Sequence, residues 1–336
     1  MMWFLQGQSS QRDVILAAKA ALGGQVSVLA SHRQHRPEIT DHADISLREP
    51  EDAEDRVTWV LAEAAARGVR IVHAGRATRA YEAARARFEA AGLTLVTGAL
   101  SLDTFDQVDD KAAFTRIVAA AGLPVVSATE VQSAAELREA LAARSQEGPV
   151  CVKPTRGIYG QGFWKIGPEA DPFACLANAD DRLVAQSLFE QAYEAAASPK
   201  PLLVMRYFPG PERSVDMVCE AGTVVGAVGR RKENGVQTLE RGGAAMELAA
   251  AAARLFRCDG IINVQTRDDE LGDPHLLEIN LRPSGGIGYT LLGGVNLPGI
   301  FATRRLGLPA PADRWQGPVT IRSITSAVVV TPDPGV

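Results

Sequence analysis

The sequence lacks a long apolar segment. Nowhere do about 18 uninterrupted apolar residues occur, so no membrane span is predicted and a membrane partner is not expected. The opening residues, MMWFLQGQSS, carry no basic region, and their apolar stretch stops at Gln6, which argues against an export signal. We therefore expect a cytoplasmic protein.

Cysteine is also scarce, and the chain has no excess of positive charge. The four cysteines lie far apart without a C-x-x-C pair, a pattern that argues against both a zinc site and a disulfide framework: Cys151, Cys175, Cys219 and Cys258. We predict buried thiols in a reducing compartment. With 35 Lys and Arg against 40 Asp and Glu, the net charge of -5 argues against nucleic acid as a partner.

Several familiar catalytic motifs are missing. There is no G-x-S-x-G elbow, and no cysteine accompanies a recognisable histidine motif, so covalent hydrolase chemistry lacks support. Gly7 follows the first apolar stretch, but GQSSQ does not have the G-x-G-x-x-G spacing of a dinucleotide site. The histidines of HRQHRPEITDH match no familiar metal spacing and indicate an exposed loop.

The chain is long and apolar enough for a large core. It has 336 residues, of which 46% are hydrophobic, and this length predicts two or three domains. Four β-rich stretches (WFLQ, VSVLA, VRIVHA and LTLV) alternate with helical patterns over 10–22, 54–67 and 78–91. This alternation predicts a parallel sheet with crossover helices over residues 1–100.

The remainder of the sequence shows an α+β pattern with antiparallel strands. Helices are predicted from Asp110, over 133–144 and over 244–257, with strands around them. The sequence SPKP interrupts the pattern near residue 198. We therefore predict two further domains, over 101–198 and 199–336.

A glycine-rich segment, VCVKPTRGIYGQGFWKI, covers residues 150–166. Gly157, Gly160 and Gly162 lie between two strand-like stretches, an order that differs from both a Walker A loop and a Rossmann turn. Such a hairpin can cover a polyphosphate with backbone N–H groups, and Lys153 would add a positive charge. The alternative is an ordinary flexible hairpin.

A polar row occurs in LLEINLRPSGG, residues 276–286. In a strand, Glu278, Asn280 and Arg282 share one face, which in most strands simply faces water. Glu278 and Asn280 would also suit Mg²⁺, which takes one or two protein oxygens and keeps several waters. Gln265 on the preceding strand would supply a third oxygen if the two strands pair antiparallel.

A basic segment, GRRKENGVQTLERGG, covers residues 229–243 and is predicted to be a loop. Taken alone, such charges indicate a solvated loop. Near a triphosphate, Arg230, Lys232 and Arg241 would act as a cationic clamp on charge that develops during phosphoryl transfer.

Four features in order resemble the ATP-grasp superfamily, especially its carbamoyl-phosphate-synthetase-like, carboxylate-amine ligase branch. They are Asp110-Lys111, the K-P-x-x-G-x-x-G-x-G hairpin, MRYFPGPERSVD, and Gln265 followed by E-I-N-x-R-x-S-G-G. The resemblance covers about residues 100–300, and the opening segment is similar to a pre-ATP-grasp domain. The implied fold is a parallel α/β domain followed by a two-lobed ATP-grasp fold.

The resemblance implies a role for each matching position, with ATP between two α+β lobes. Lys111 and Lys153 would contact the phosphates under the loop from Thr155 to Gly162. Adenine would meet the segment with Met205, Arg206 and Phe208, and Glu212 would bind the ribose hydroxyls. Gln265, Glu278 and Asn280 would bind Mg²⁺, with Mn²⁺ as an alternative, and Arg282 would hold the phosphoryl group or an oxyanion.

Two positions depart from the family pattern. Many members have an acid where Met205 stands, so adenine recognition would depend more on the backbone. Gln265 replaces the acid that most relatives use at the first metal position, so a second Mg²⁺ would bind weakly.

The implied activity is activation of a carboxylate by ATP to an acyl phosphate, which an amine or other nucleophile attacks with release of ADP and phosphate. Residues near Gly7 and in RPSGGIGY are candidate walls of the substrate pocket. One alternative is an enzyme that phosphorylates bicarbonate or carbamate, which would need separate partner subunits. Others are a low-turnover ATP-binding module and, disfavoured by its missing fingerprint, an NAD-dependent oxidoreductase. A homodimer is left open.

Overall fold

The computed structural model describes residues 1–8, 10–76, 78–157 and 160–330. The chain forms two compact units. Unit 1 contains residues 1–108, 211–266 and 279 onward, and unit 2 contains 109–210 and 267–278. The predicted limits near 100 and 198 lie close to the first two changes of unit, while the division into three domains stays a prediction.

The first segment of unit 1 is a parallel α/β layer, as predicted. Its strands are β1 (Met2–Phe4), β2 (Val28–His32), β3 (Ile45–Arg48), β4 (Ile71–His73) and β5 (Thr94–Val96). They lie in the order β3-β2-β1-β4-β5, and each pair is parallel. The helices are α1 (Gln11–Leu22), α2 (Pro37–Thr40), α3 (Ala53–Arg67), α4 (Thr78–Ala83), α5 (Arg85–Ala90) and α6 (Leu102–Asp109).

Two elements of this segment differ from the prediction. Strand β3 was not predicted, because its four residues, ISLR, lie in a polar stretch and alternate between half-buried and exposed positions. The helix predicted over 78–91 is divided into α4 and α5 at Ala84, where the backbone leaves the helical region.

Unit 2 is built on a second sheet. In chain order its elements are α7 (Lys111–Ala120), β6 (Ala128–Val131), α8 (Ala134–Arg144), β7 (Val150–Pro154), β8 (Trp164–Gly167), α9 (Ala174–Ala177), β9 (Leu183–Ala185), α10 (Gln186–Glu194) and β10 (Leu202–Arg206). The strand order is β6-β10-β7-β8-β9. Helix α7 begins where it was predicted because the Asp110 carboxylate accepts hydrogen bonds from the backbone N–H groups of Ala112 and Ala113.

The third sheet contains the later strands, with two helices between them in sequence. In chain order these elements are β11 (Glu212–Glu220), β12 (Thr223–Glu233), β13 (Val236–Glu240), α11 (Ala244–Leu255), β14 (Gly260–Asp268), β15 (Pro274–Asn280), α12 (Leu297–Leu306) and β16 (Val319–Ile321). The strand order is β15-β14-β11-β12-β13-β16. A 3₁₀ segment, Ile287–Gly293, follows β15.

The prediction of a loop over 229–243 is wrong, because most of this segment forms the β12–β13 hairpin. The strands pair antiparallel up to Glu233 and Val236. Asn234 and Gly235 have φ angles of 49° and 72°, the positive values that a two-residue hairpin turn requires. Asn-Gly is the preferred sequence for such a turn, so the signal was present beneath the charged residues.

One core joins distant parts of the chain within unit 1. Phe4 and Ile15 from the first segment share a buried cluster with Val218, Ile261 and Phe301 from the later segments. This sharing explains why unit 1 is discontinuous in sequence. In the described part of the chain, no helix is both long and apolar enough to cross a bilayer.

Candidate active site

The glycine-rich segment of unit 2 forms the predicted hairpin between β7 and β8. The two strands pair antiparallel, with Val150 opposite Ile166. Gly160 and Gly162 have φ angles of 64° and 74°, which favour glycine. A Cβ at Gly162 would lie 2.7 Å from Cγ of Pro154, so this turn also requires a close approach. Of the predicted phosphate loop, residues 158–159 lie outside the described residues.

Lys111 joins the start of α7 to two other predicted motifs. Its Nζ donates a hydrogen bond of 3.0 Å to the backbone oxygen of Gly157 in the hairpin. The same Nζ lies 3.7 Å from Oε2 of Glu278 on β15, and the two side chains are only 12% and 26% exposed. Three segments that are far apart in sequence therefore meet at one ammonium group. Lys153, also predicted to contact phosphate, lies on β7 opposite Leu203.

The end of β10 contributes to a buried apolar cluster in unit 2. Met205 and Phe208 are buried with Cys151 and Val126, and the half-buried Leu277 packs against them. Burial raises the pKa of the Cys151 thiol to about 12, so this thiol is a packing group and not a nucleophile. This buried cluster includes two of the residues predicted to meet adenine, and that role stays a prediction.

Two arginine side chains have partners near the end of β10. Arg267 donates from Nε to the backbone oxygen of Phe208 at 2.6 Å and from Nη2 to the hydroxyl of Tyr207 at 2.8 Å. Arg206, which was predicted to contact adenine, forms an ion pair with Glu270 at 2.9 Å. These contacts hold the segment in a defined conformation, while its predicted role as the adenine hinge stays a prediction.

The predicted metal ligands lie on two strands. Gln265 is on β14, and Glu278 and Asn280 are on β15. Oδ1 of Asn280 accepts a hydrogen bond of 3.1 Å from Nη2 of Arg282, which fits the predicted shared face. Carboxylate and amide oxygens are the ligand types that a partly hydrated Mg²⁺ takes, and the role of these three residues as its ligands stays a prediction. The described residues contain no cluster of three or more His, Cys, Asp or Glu side chains that could hold a metal.

The three basic residues predicted as a clamp have acidic partners. Nζ of Lys232 lies 2.6 Å from Oε1 of Glu212, the predicted ribose ligand, and Arg241 pairs with Asp313 at 2.5 Å. Arg230 is 3% exposed and pairs with the fully buried Asp216. The clamp stays a prediction, and the burial of Arg230 argues against direct contact of this residue with a ligand.

A small cavity of unit 1 lies at the carboxyl ends of β1 and β4. Gly7 and Gln11 line it together with His73, Arg282 and Pro283, so the two sequence regions expected to form pocket walls meet here. The Gln11 side chain, which the sequence did not single out, shapes the turn by accepting from the N–H of Gly7 at 2.7 Å. His73 was also missed, although it ends a predicted strand beside Gly7.

The environment of His73 keeps it neutral. Burial, followed by the charge of Arg305, lowers the pKa of His73 to about 4. Its ring lies between those of Phe4 and Phe301, at centroid distances of 5.5 Å and 5.2 Å. The cavity therefore has an uncharged imidazole on one wall and the Arg282 cation on another.

Comparison with known proteins identifies sequence relatives. The family model described as "ATP-grasp in the biosynthetic pathway with Ter operon" matches residues 198–327. The large chain of carbamoyl phosphate synthase from Pyrococcus furiosus is 26% identical over 235 residues, which are 64% of this chain and 20% of that relative. The chain thus matches about a fifth of the length of this curated relative.

Three solved structures share the fold over nearly the whole chain. An ADP complex of N5-carboxyaminoimidazole ribonucleotide synthetase has a TM-score of 0.68 at 17% identity and covers 95% of this chain and 79% of its own. L-amino acid ligase from Bacillus licheniformis has a TM-score of 0.62 at 17% identity, with 89% of this chain and 72% of that chain covered. The biotin carboxylase domain of 2-oxoglutarate carboxylase from Hydrogenobacter thermophilus was solved in complex with MgADP, ADP and bicarbonate. It has a TM-score of 0.65 at 16% identity, with 95% of this chain and 73% of that chain covered.

Proposed function

We propose that this chain, which belongs to the ATP-grasp superfamily, is an ATP- and Mg²⁺-dependent ligase that activates a carboxylate as an acyl phosphate for attack by an amine. ADP and phosphate would be the other products. The superfamily that the sequence motifs resemble is confirmed, and so is the ATP-grasp fold.

The observation that carries the proposal is the meeting of three motifs at Lys111. The ammonium group touches the glycine-rich hairpin through Gly157 and approaches the carboxylate of Glu278. An ordinary surface hairpin and an ordinary solvated strand would not need a shared, largely buried cation. A triphosphate with its metal ion would use the same three groups, because it needs an ammonium, backbone donors and a carboxylate together.

Each residue has a separate task in this reaction. Lys111 and Lys153 would hold phosphate oxygens, and the side chain of Arg282 would hold the transferring phosphoryl group. Glu278, Asn280 and Gln265 would hold Mg²⁺, which offsets phosphate charge when bound. Positioning and electrostatic stabilisation supply most of the catalysis in phosphoryl transfer, so no strong protein nucleophile is required.

Two residues limit how the nucleotide would bind. Met205 is buried and offers no carboxylate to the adenine amino group, so the backbone after β10 would carry adenine recognition. Gln265 is neutral and would offset less charge on a second cation than an acid would. We therefore expect one tight and one weak metal position.

A second candidate activity is the phosphorylation of bicarbonate. It is favoured by the fold shared with a biotin carboxylase domain that was solved with bicarbonate and MgADP, and by the match to a carbamoyl phosphate synthase chain. Bicarbonate is itself a carboxylate-like substrate, so the same phosphoryl-transfer groups would serve it. The two candidates differ in the acceptor and are separated by one assay.

The test is a screen for ADP release with Mg²⁺ and ATP over amino acids, dicarboxylates and amines, with and without bicarbonate. We expect release that needs both a carboxylate and an amine, and its loss in Glu278→Ala. The control is Glu194→Ala, which removes an exposed ion pair with Arg138 in the same unit. Release with bicarbonate alone would favour the second candidate, and ATP binding without ADP release over the whole screen would indicate a low-turnover binding module.

The cellular setting is part of the proposal. The four cysteines are all free and buried, which fits a cytoplasmic enzyme that needs no disulfide. Its partners would be small-molecule carboxylates and amines, and a homodimer is the oligomeric state to test by light scattering.

A further inference from the structure

Arg230 is at the centre of a buried polar network in unit 1. Its Nε donates to Oδ2 of Asp216 at 2.7 Å, its Nη1 to Oε1 of Gln237 at 2.6 Å, and its Nη2 to Oγ of Ser284 at 2.7 Å. The other oxygen of Asp216 accepts from Nδ2 of Asn263 at 3.0 Å. All three nitrogens of the guanidinium are therefore engaged by residues of three different segments.

The network fixes the orientation of Arg230. Asp216 is fully buried, Asn263 is 1% exposed and Arg230 is 3% exposed. A buried charge pair requires good geometry and additional hydrogen bonds to offset its desolvation, and here both are present. Arg230 is therefore fixed in place, unlike a cation that would move to meet a ligand.

The turn after β15 rests on this guanidinium. Oγ of Ser284, which accepts from Arg230, also accepts from the N–H of Gly286 at 3.2 Å. A Cβ at Gly286 would lie 2.5 Å from Nη1 of Arg230, so only glycine permits this close approach. The turn Ser284–Gly286 thus depends on Arg230 through both a hydrogen bond and a steric fit.

The turn begins two residues after Arg282. Pro283 stands between them and disfavours a helical backbone conformation for Arg282. The Arg282 side chain donates to Asn280, so the segment is held on its other side by a predicted metal ligand. The backbone that carries Arg282 is consequently fixed at Ser284 by a residue from the β12–β13 hairpin.

We infer that Arg230, oriented by Asp216, is a positioning residue that sets Arg282 for the transferring phosphoryl group by holding the Ser284 turn. The inference rests on the proposed function, because it assigns Arg282 to that group. It also replaces the direct role in a cationic clamp that the sequence predicted for Arg230.

The test compares Ser284→Ala and Arg230→Lys with a matched control. Ser284→Ala removes only the hydroxyl that joins Arg230 to the turn. Arg230→Lys keeps the charge but replaces the planar guanidinium, whose three nitrogens reach three separate acceptors, with a single ammonium nitrogen. Arg213→Lys is the control, because Arg213 lies in the same sheet and pairs with Glu240 at 2.6 Å, away from the turn. All variants are made in the full chain.

Two readouts separate positioning from a merely structural role. Hydrogen exchange of the peptide over 283–292 should be faster in both test variants than in wild type and in Arg213→Lys. Calorimetry with β,γ-methylene-ATP and with ADP, each with Mg²⁺, measures how strongly the protein prefers a γ-phosphoryl group. We expect this preference to fall about tenfold in the test variants, as is typical when a supporting partner of a site residue is lost, with ADP affinity unchanged.

The outcomes distinguish failure of the inference from failure of the proposed function. Unchanged exchange, or faster exchange with an unchanged nucleotide preference, would overturn the positioning role while the ligase proposal stands. A wild-type protein that binds neither nucleotide, or binds both equally, would remove the role of Arg282 itself, and the inference with it.

Discussion

His73, the buried histidine that lines a cavity with Arg282, allows a prediction of how stability depends on pH. His73 is 5% exposed, and burial lowers the pKa of His73 from 6.5 to about 4. Between these two values the unfolded chain binds a proton that the folded protein does not. The free energy of unfolding therefore has its full value above pH 6.5 and falls as the pH drops towards 4.

The size of the effect follows from the difference between the two pKa values. Each unit corresponds to about 1.4 kcal/mol, so the whole window is worth about 3 kcal/mol. At pH 5 about 2 kcal/mol should already be lost through this one residue. A loss of this size is a large part of the free energy of unfolding of a typical domain, which is about 5 to 15 kcal/mol.

The assay is urea unfolding of wild type and His73→Gln from pH 4 to pH 8. The variant loses ring packing against Phe4 and Phe301 at every pH, so the informative quantity is the change with pH and not the offset. We expect a smaller loss on acidification for His73→Gln than for wild type or for His35→Gln, a control at a half-buried position in the loop between β2 and α2. Equal slopes, or a proton resonance of His73 that titrates near 6.5, would refute the reasoning.

Three other predictions test separate features. Gly98→Ala should destabilise the protein far more than Gly92→Ala. Both glycines have positive φ, which costs alanine about 1 to 2 kcal/mol, but of the two only Gly98 would bring its Cβ to 2.4 Å from a backbone oxygen. Equal urea midpoints for the two variants would contradict this. Burial raises the pKa of Glu49, so this carboxyl group binds a proton more tightly in the folded protein than in the unfolded chain. The free energy of unfolding should therefore fall as the pH rises from 4.5 in wild type, and fall less in Glu49→Gln. Urea midpoints at pH 4.5 and 7.5 measure both changes, and equal falls in the two proteins would count against the prediction. Lys111→Met should weaken binding of MgATP about 10- to 100-fold, because a hydrogen bond to a charged group contributes about 1.5 to 3 kcal/mol. The control Lys200→Met should bind MgATP as wild type does. Calorimetry measures both affinities, and equal affinities for the two variants would rule out the phosphate role of Lys111.

Much of the fold could be predicted from local patterns. The parallel order of the first sheet follows from alternating strands and helices, and the start of α7 follows from Asp110 as a helix cap. The β12–β13 hairpin was missed because its arginines and lysine were given more weight than the Asn234-Gly235 turn. Strand β3 was missed because its alternation extends over only four residues in a polar stretch.

The candidate site shows a clearer limit of sequence reasoning. Lys111 and Glu278 were assigned to ATP and metal separately, but their proximity depends on how the chain returns to unit 2 at residues 267–278. Arg230 looked like a free cation because its partner Asp216 lies on another strand. Long-range pairing of this kind leaves no local pattern, so burial of a charged side chain could not be predicted.

The proposed function depends on a metal ion at Glu278 when nucleotide is bound. A crystal structure with Mg²⁺ and β,γ-methylene-ATP tests it most directly. We predict a cation about 2.0 to 2.1 Å from a carboxylate oxygen of Glu278, with the Nζ of Lys111 moved from that carboxylate to a phosphate oxygen. A bound nucleotide whose metal lies elsewhere, with Lys111 still paired to Glu278, would contradict it.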